Sequence, residues 1–157
     1  MTEKVRQEID AFDLLMQDHR EMESLLRTFE HLHRNGEQTR DVIASACAEL
    51  KIHDTLETAI FYAAVGEAAD DDSIDRLVAD AEDEHDAILE LIEKLEKTPA
   101  DDLHRNAQFK ALAAQVKRHV LTDETERFPL VKKMQRLDLE AVTAAMKKRK
   151  TQLLTEM

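Results

Sequence analysis

The fold of this chain is indicated by residues 12–29, FDLLMQDHREMESLLRTF, in which apolar residues recur every three or four positions. The recurring positions are Phe12, Leu15, Met22, Leu26 and Phe29, and His19 occupies the same stripe. This period predicts an amphipathic α-helix that turns one apolar face, together with one imidazole, toward a core. Asp10 is placed to cap this helix, although Thr2–Ile9 can add turns upstream, and Asn35-Gly36 is a typical stop.

Two further helices with the same pattern follow. The second is predicted from about Gln38 to Val65 and carries His53 on its apolar stripe. Gly66 and the acidic run Asp70–Asp72 are predicted to break the chain, and this run with Ser73 is placed to cap the third helix. The third helix carries His85 and is expected to stop at Thr98-Pro99.

The last part of the chain predicts a fourth helix and a weaker fifth one. The fourth starts near Asp101, carries His119, and is expected to end or kink at Pro129. Residues 130–137 can continue for one or two helical turns. Asp138 can then cap a fifth helix with a weak apolar side.

Composition and loop lengths favour one architecture. Two glycines, two prolines and 4% aromatic residues among 157 argue for an all-α fold. Four long helices joined by short loops pack most simply as an up-down-up-down four-helix bundle. We therefore predict one domain over residues 1–157, with a core bundle at about 10–131 and a short additional C-terminal helix at about 138–155.

Charge excludes several classes of partner. The formal net charge of −12 argues against nucleic-acid binding and against an anionic membrane surface. No apolar run approaches the roughly 20 residues of a membrane span, and no signal peptide is evident, so a cytoplasmic location is expected. Cys47 is the single cysteine, which excludes an intramolecular disulfide, and we interpret it as a packed thiol.

The four stripe histidines form the chemical signal of the sequence. Glu57 follows His53 by four residues and Asp123 follows His119 by four, a step that leaves side chains about 40° apart on a helix. One histidine on an apolar face is more often a hydrogen-bonded core residue than a ligand. Four such helices, two of them with an added acid, instead predict a buried metal pocket, because unpaired imidazoles and acids are costly to bury.

Nitrogen and oxygen donors of this kind suit iron, manganese or zinc. A carboxylate can bridge two ions, so the pocket is predicted to hold two iron ions, with manganese or zinc as alternatives. A structural bundle with incidental histidines is the remaining interpretation.

The order of these motifs resembles the hemerythrin-like domains of the HHE cation-binding family over residues 10 to about 131. The matching motifs are Asp18-His19, His53-x-x-x-Glu57 with Phe61-Tyr62, Glu84-His85, and His119-x-x-x-Asp123-Glu124 with Phe128-Pro129. The resemblance implies a set of ligands, namely His19, His53, Glu57, His85, His119 and a carboxylate from the fourth helix. Asp123 has the better helical phase for that last role, whereas Glu124 has the longer arm and matches the spacing in oxygen-carrying hemerythrins. Both are kept as candidates, with Asp123 favoured.

One departure from the family bears on function. Oxygen-carrying hemerythrins have a second third-helix histidine four residues from the first, where this chain has Ala81 and Leu89. The resemblance therefore implies a non-haem di-iron protein that binds or reduces O2, NO or hydrogen peroxide in oxidative or nitrosative stress or iron homeostasis, rather than an oxygen carrier. An enzymatic turnover of peroxide or NO is left open. The alternative is a metal- or redox-sensing interaction module without turnover.

Several other residues receive weaker assignments. Glu23 and Tyr62 are possible additional ligands or outer partners of the site, and packing at a helix end is the favoured role of Tyr62. Glu82 and Glu84 are expected at the surface, Asp18 at the surface or just outside the ligands, and three further histidines near helix ends at the surface: His31, His33 and His104. A monomer or weak homodimer is expected, and the redox partner is not assigned.

Overall fold

The computed structural model describes residues 9–156, and these residues form helices and loops without a strand. The helices are α1 (Ala11–Arg34), α2 (Arg40–Thr55), α3 (Tyr62–Ala68), α4 (Asp72–Lys97), α5 (His104–Thr122), α6 (Phe128–Lys132) and α7 (Leu139–Thr155). Two short π-helical segments, π1 (Leu56–Phe61) and π2 (Asp123–Arg127), join α2 to α3 and α5 to α6. The all-α prediction is confirmed. The possible turns at Thr2–Ile9 lie, apart from Ile9, outside the described residues.

Four long helical rods form the bundle. They are α1, α2–π1–α3, α4 and α5–π2–α6, and each contacts its neighbours along the chain, while α1 also contacts α5. The fifth predicted helix, α7, packs against α1 and π1. The predicted four-helix bundle with an additional C-terminal helix is therefore confirmed. Among residues 9–156, no helix has both the length and the apolar character needed to cross a membrane.

The predicted helix caps explain where several helices begin. Asp10 accepts a hydrogen bond from the backbone N–H of Asp13, and the Asp13 side chain accepts one from the N–H of Asp10. Asp71 accepts from the N–H groups of Ser73 and Ile74, and Asp138 from that of Ala141. Such side-chain acceptors satisfy the free N–H groups of the first helical turn.

Some predicted boundaries were wrong. The second rod starts at Arg40 and continues through Gly66 to Ala68, because a single glycine only weakens a helix. The fourth starts at His104, later than predicted. Of the two outcomes expected at Pro129, an end or a kink, the end does not occur: Pro129 lies in the first turn of α6, directly after the wider turn of π2, and the rod continues to Lys132.

The core is divided into two apolar clusters by a polar layer. The first cluster includes Met22 and Leu50, whereas the second includes Leu15, Leu56 and Phe128. Along each rod, the stripe histidine lies between residues of the two clusters. All four imidazoles therefore reach one buried level of the bundle.

Candidate metal centre

Five buried side chains converge in the polar layer. Each offers one nitrogen or oxygen atom within 4.8 Å of the corresponding atoms of the others, and the set is His19, His53, Glu57, His119 and Asp123. They come from three of the four rods. Both carboxylates lie in the π segments that directly follow the helices carrying His53 and His119. The backbone carbonyls of Glu57 and Asp123 each accept a hydrogen bond from the N–H five residues later, so each wide turn begins at a carboxylate of the site.

Glu57 occupies the middle of the layer. Its Oε2 lies 2.6 Å from Nε2 of His53, 3.3 Å from Nε2 of His119 and 3.4 Å from Nε2 of His19. Its other oxygen, Oε1, lies 3.0 Å from Nε2 of His85. One carboxylate therefore faces three imidazoles with one oxygen and the fourth imidazole with the other.

Asp123 also divides its two oxygens. Its Oδ2 lies 3.1 Å from Nε2 of His119 and 3.6 Å from Nε2 of His19, whereas Oδ1 accepts hydrogen bonds from Tyr62 (2.7 Å) and Arg127 (2.9 Å). The inner oxygen thus faces the imidazoles, and two donors hold the outer one.

All four imidazoles are held from outside by their Nδ1 atoms. Nδ1 of His19 donates to Glu124 (2.6 Å), that of His53 to Asp18 (3.2 Å) and that of His119 to Glu84 (2.7 Å). Because a carboxylate can only accept, each of these rings carries a proton on Nδ1, and in the neutral form of the ring the Nε2 lone pair faces inward.

His85 differs from the other three imidazoles. Its Nδ1 contacts the hydroxyl oxygen of Thr58 at 2.8 Å, and the Thr58 hydroxyl faces Asp54 at 3.5 Å. It is therefore held by a neutral group where the others are held by carboxylates.

Each of the three outer carboxylates is paired with a cation. Glu124 accepts from Arg20, Asp18 from Lys150 (2.7 Å), and Glu84 from Arg127 (2.8 Å). Metal-bound histidines in proteins commonly have such hydrogen-bonded outer partners, which fix the ring and its tautomer.

The inner atoms lack the partners that buried polar atoms normally have. Among residues 9–156, four site atoms without a hydrogen-bond partner are Nε2 of His19, Nε2 of His85, Oε1 of Glu57 and Oδ2 of Asp123. Orphaned polar atoms at this depth are rare because they cost free energy. Three imidazole nitrogens and two carboxylate oxygens in one shell fit a transition-metal ion with mixed nitrogen and oxygen ligands.

Without an ion, protons would occupy this layer. Burial alone would lower the pKa of His19, but the carboxylates of Asp123 and Glu57 raise it to about 9. Burial likewise opposes charge at His119, and Glu57 raises its pKa well above the usual value. Burial would raise the pKa of Glu57, but His119 and His53 bring it well below its usual range. The centre is therefore built to hold positive charge beside two carboxylates.

The structure separates the two fourth-helix candidates. Asp123 is completely buried within the five-residue set, whereas Glu124 contacts the outer nitrogen of His19 and is partly exposed. His85 is not a member of the five-residue set, but its Nε2 contacts Oε1 of Glu57, which is. Glu23 is partly exposed and pairs with Arg20 at 3.0 Å, so it is not in the set.

Sequence reasoning missed several outer residues. Glu84 was expected at the surface but reaches across from α4 to hold His119 on α5, and Arg127, Thr58 and Lys150 had no assignment. Arg127 lies four residues after Asp123, which is the one signal that could have suggested it. Tyr62, for which packing at a helix end was the favoured role, packs against Phe61 and also donates a hydrogen bond to Asp123.

Three other histidines and the single cysteine lie outside the metal centre. His31 and His104 are exposed, and His33 is partly buried beside Phe29. Cys47 is a buried thiol whose pKa is raised to about 11, mainly by burial. None of these residues belongs to the polar layer.

Comparison with known proteins agrees with this architecture. The family model described as the hemerythrin HHE cation-binding domain matches residues 10–131. The chain also resembles the crystal structure of a hemerythrin HHE cation-binding domain-containing protein from Mycobacterium kansasii, with a TM-score of 0.76 and 21% identity over 95% of this chain and 90% of that one. At this identity the likeness concerns the fold alone. No curated protein sequence matches the chain.

Proposed function

Because the chain belongs to the hemerythrin HHE cation-binding domain family, we propose that its polar layer binds two iron ions. The proposed ligands are His19, His53, Glu57, His85, His119 and Asp123. The three imidazoles nearest Oε2 of Glu57, with Asp123, would hold one ion. His85 and Oε1 of Glu57 would hold the second, so Glu57 is the proposed bridge.

The observation that supports this proposal is that the two nitrogens of each imidazole ring have different surroundings. Every Nδ1 atom has an outer hydrogen-bond partner, whereas the Nε2 atoms converge on two carboxylates. A core histidine that merely satisfies its own hydrogen bonds gives no reason for four rings to share this orientation. A bound cation does, because it uses the Nε2 lone pairs and offsets the charge of the carboxylates.

We infer further that the site acts on a small diatomic or peroxidic ligand, namely O2, NO or hydrogen peroxide. Bound iron would supply the redox-active centre that binds or reduces such a ligand. The protein contributes apolar surroundings with little access for water, because Phe61 and Phe128 are buried beside the layer and the Phe128 ring stacks on that of His19. Glu57 and Asp123 hold negative charge there while the outer partners keep the imidazoles in place.

The third helix favours consumption of the ligand over reversible transport. Ala81 is packed in an apolar cluster and Leu89 is exposed, and neither side chain carries an atom that could bind a metal ion. With four histidines instead of the five of oxygen carriers, a role in oxidative or nitrosative stress or in iron homeostasis is the better proposal. This step rests on family analogy.

A metal- or redox-sensing module is the second candidate. One observation favours it: α7 contacts the periphery of the site through Lys150 and Asp18, so a change at the site has a direct structural route to a surface helix. Turnover would be absent in this case, and the ion would instead change the docking of α7.

The deciding experiment is the metal content per chain, measured together with the optical spectrum of the aerobic protein. Near two irons per chain with near-ultraviolet charge-transfer bands would support the di-iron proposal, and assays of peroxide and NO consumption would then separate catalysis from sensing. Protein purified from iron-replete cells with no metal, or with zinc alone, would contradict it.

Two variants test the ligand assignment within the same experiment. E57Q should lose at least one ion, because an amide is a poor bridge between two cations. H104A is the matched control, since His104 is exposed and should leave the metal content unchanged. Equal behaviour of the two variants would show that the ligands are assigned wrongly.

A further inference from the structure

Helix α7 lies beyond the residues 10–131 that the family model matches, yet it is anchored in the bundle. Val142 and Met146 are buried in the apolar cluster that contains Phe61. The hydroxyl of Thr143 accepts a hydrogen bond from the backbone N–H of Ala11 at 2.9 Å. These contacts fix α7 across the start of α1 and bring its next turns toward Asp18.

Lys150 of α7 reaches the outer edge of the metal centre. Its Nζ donates to Oδ1 of Asp18 at 2.7 Å, and the other oxygen of Asp18 accepts from Nδ1 of His53 at 3.2 Å. Asp18 is buried, with 6% of its surface exposed, so both of its oxygens depend on these protein partners. A continuous hydrogen-bonded chain thus runs from α7 to an imidazole of the site.

We propose that Lys150 is a positioning residue of the metal centre, acting through Asp18 on His53. The proposal rests on the proposed function, because it assigns Lys150 a role toward the ion that His53 would hold. Lys150 fixes the rotamer of Asp18 and offsets its charge. Asp18 in turn fixes the plane of the His53 ring and the strength with which its Nε2 donates.

The same arrangement occurs at two other ligands, which separates this pair from an incidental ion pair. Arg20 backs Glu124 behind His19, and Arg127 backs Glu84 behind His119. Lys150 completes this pattern for the third imidazole that faces Oε2 of Glu57. Lys150 differs from Arg20 and Arg127 because it belongs to α7, outside the four-helix bundle.

Within the part of the chain that the structure describes, no other basic side chain lines the cavity beside Asp18. A cavity of about 280 Å³ beside Asp18 is lined by Glu21, Glu49, Lys150 and three apolar residues. Among residues 9–156, Lys150 is the one basic side chain in this lining. Its loss would leave a buried carboxylate among like charges with a single partner, and a carboxylate in that position is free to turn away from His53.

The experiment compares K150M with K150R and K148M in the full chain. Methionine keeps most of the aliphatic stem of lysine and removes the charge, arginine restores the charge, and Lys148 is an exposed neighbour on the same helix. Cobalt(II) alone is the probe, because its visible absorption reports ligand geometry and chelator competition gives its affinity. We expect K150M to change the cobalt spectrum and weaken affinity by about tenfold, K150R to recover most of the loss, and K148M to match the parent.

A second readout uses the metal-free protein and does not depend on the proposed function. The ring-nitrogen resonances of His53 in the nuclear magnetic resonance spectrum should shift in K150M and return toward the parent in K150R. Unchanged His53 resonances with unchanged cobalt binding in K150M would overturn the role of Lys150. A parent protein that binds no cobalt, but whose His53 responds to K150M, would instead refute the metal proposal and retain the connection between α7 and His53.

Discussion

The phenolic hydroxyl of Tyr62 donates a hydrogen bond to Oδ1 of Asp123 across 2.7 Å, and neither side chain has exposed surface. Arg127 donates to the same oxygen at 2.9 Å. Two donors on the outer oxygen leave the inner oxygen, Oδ2, to face the imidazoles of His19 and His119. The direction in which Asp123 offers its ligand atom is therefore set by residues outside the ligand set.

The first prediction concerns the stability contributed by this hydrogen bond. Y62F should lower the free energy of unfolding of the metal-free protein by about 1.5–3 kcal/mol, because a buried charged acceptor loses one of its two outer donors. Denaturant titration measures the loss. T151V is the control, since Thr151 is exposed and its change should stay within about 0.5 kcal/mol. A Y62F variant as stable as the control would show that Arg127 alone satisfies Asp123.

The second prediction uses the fact that Tyr62 is the only tyrosine in a chain without tryptophan. Burial, and then the carboxylates of Asp123 and Glu57, raise its pKa well above the ordinary value. The folded protein thus keeps the phenolic proton at a pH where the unfolded chain loses it, above about 10, and stability falls as the pH rises there. Tyrosinate absorbance should appear together with the loss of helical circular dichroism. Ionisation near pH 10 in a folded protein would contradict the burial of this residue.

The third prediction separates the two neighbouring acids of π2. D123N should lose bound metal after a chelator challenge, because Asp123 is the proposed ligand. E124Q should keep the metal stoichiometry but bind about 10- to 100-fold more weakly, because Glu124 only holds the outer nitrogen of His19. Metal analysis with chelator competition measures both effects. Loss of metal in E124Q and its retention in D123N would reverse the assignment.

The fourth prediction is a pH dependence of the metal-free protein. The pKa of His19 is about 9 in the folded chain and about 6.5 when unfolded, so its stabilisation is fully present below about pH 6.5 and is lost as the pH rises toward 9. The pKa of Glu57 is lowered on folding, so its contribution is lost at acidic pH. Stability should therefore be greatest between about pH 4.5 and 6.5.

Denaturant midpoints of the metal-free protein, measured from acidic pH up to pH 9, test the fourth prediction. Calorimetry of metal binding adds a second test. Metal ligands must give up their protons, so metal binding near pH 7 should release protons, and the apparent heat should depend on the ionisation enthalpy of the buffer. H104A should not alter the number released. A stability profile that is flat between pH 6.5 and 9 would contradict the charged state inferred for the layer.

The inner part of the site was predictable from sequence because it follows from helical period. A histidine on an apolar stripe faces the core, and an acid four residues later shares its direction, so His53 and Glu57 could be placed together without a structure. His119 and Asp123 follow the same rule, and helical phase also favoured Asp123 over Glu124.

The outer hydrogen-bond partners of the imidazoles depend on contacts between rods. The spacing of apolar residues along one helix does not reveal such contacts. Glu84 is next to His85 in sequence but holds His119 on the neighbouring helix. Lys150 is far from Asp18 along the chain. The π segments were also missed, because an offset of one residue is hard to recognise in a stripe whose apolar residues already recur at spacings of both three and four.

Because of the two π segments, the site depends on the number of residues in these segments as well as on the chemistry of its side chains. A π turn amounts to one residue inserted into an α-helix, and His53 and Tyr62 are separated by the same number of residues as His119 and Phe128. Deleting one residue from either segment would rotate everything downstream by about 100° relative to its histidine. The ligands could all remain in the sequence and still fail to meet. We therefore expect point substitutions to be tolerated at the exposed positions of the two segments, Ala59, Thr125 and Glu126, where deletion of the residue is not.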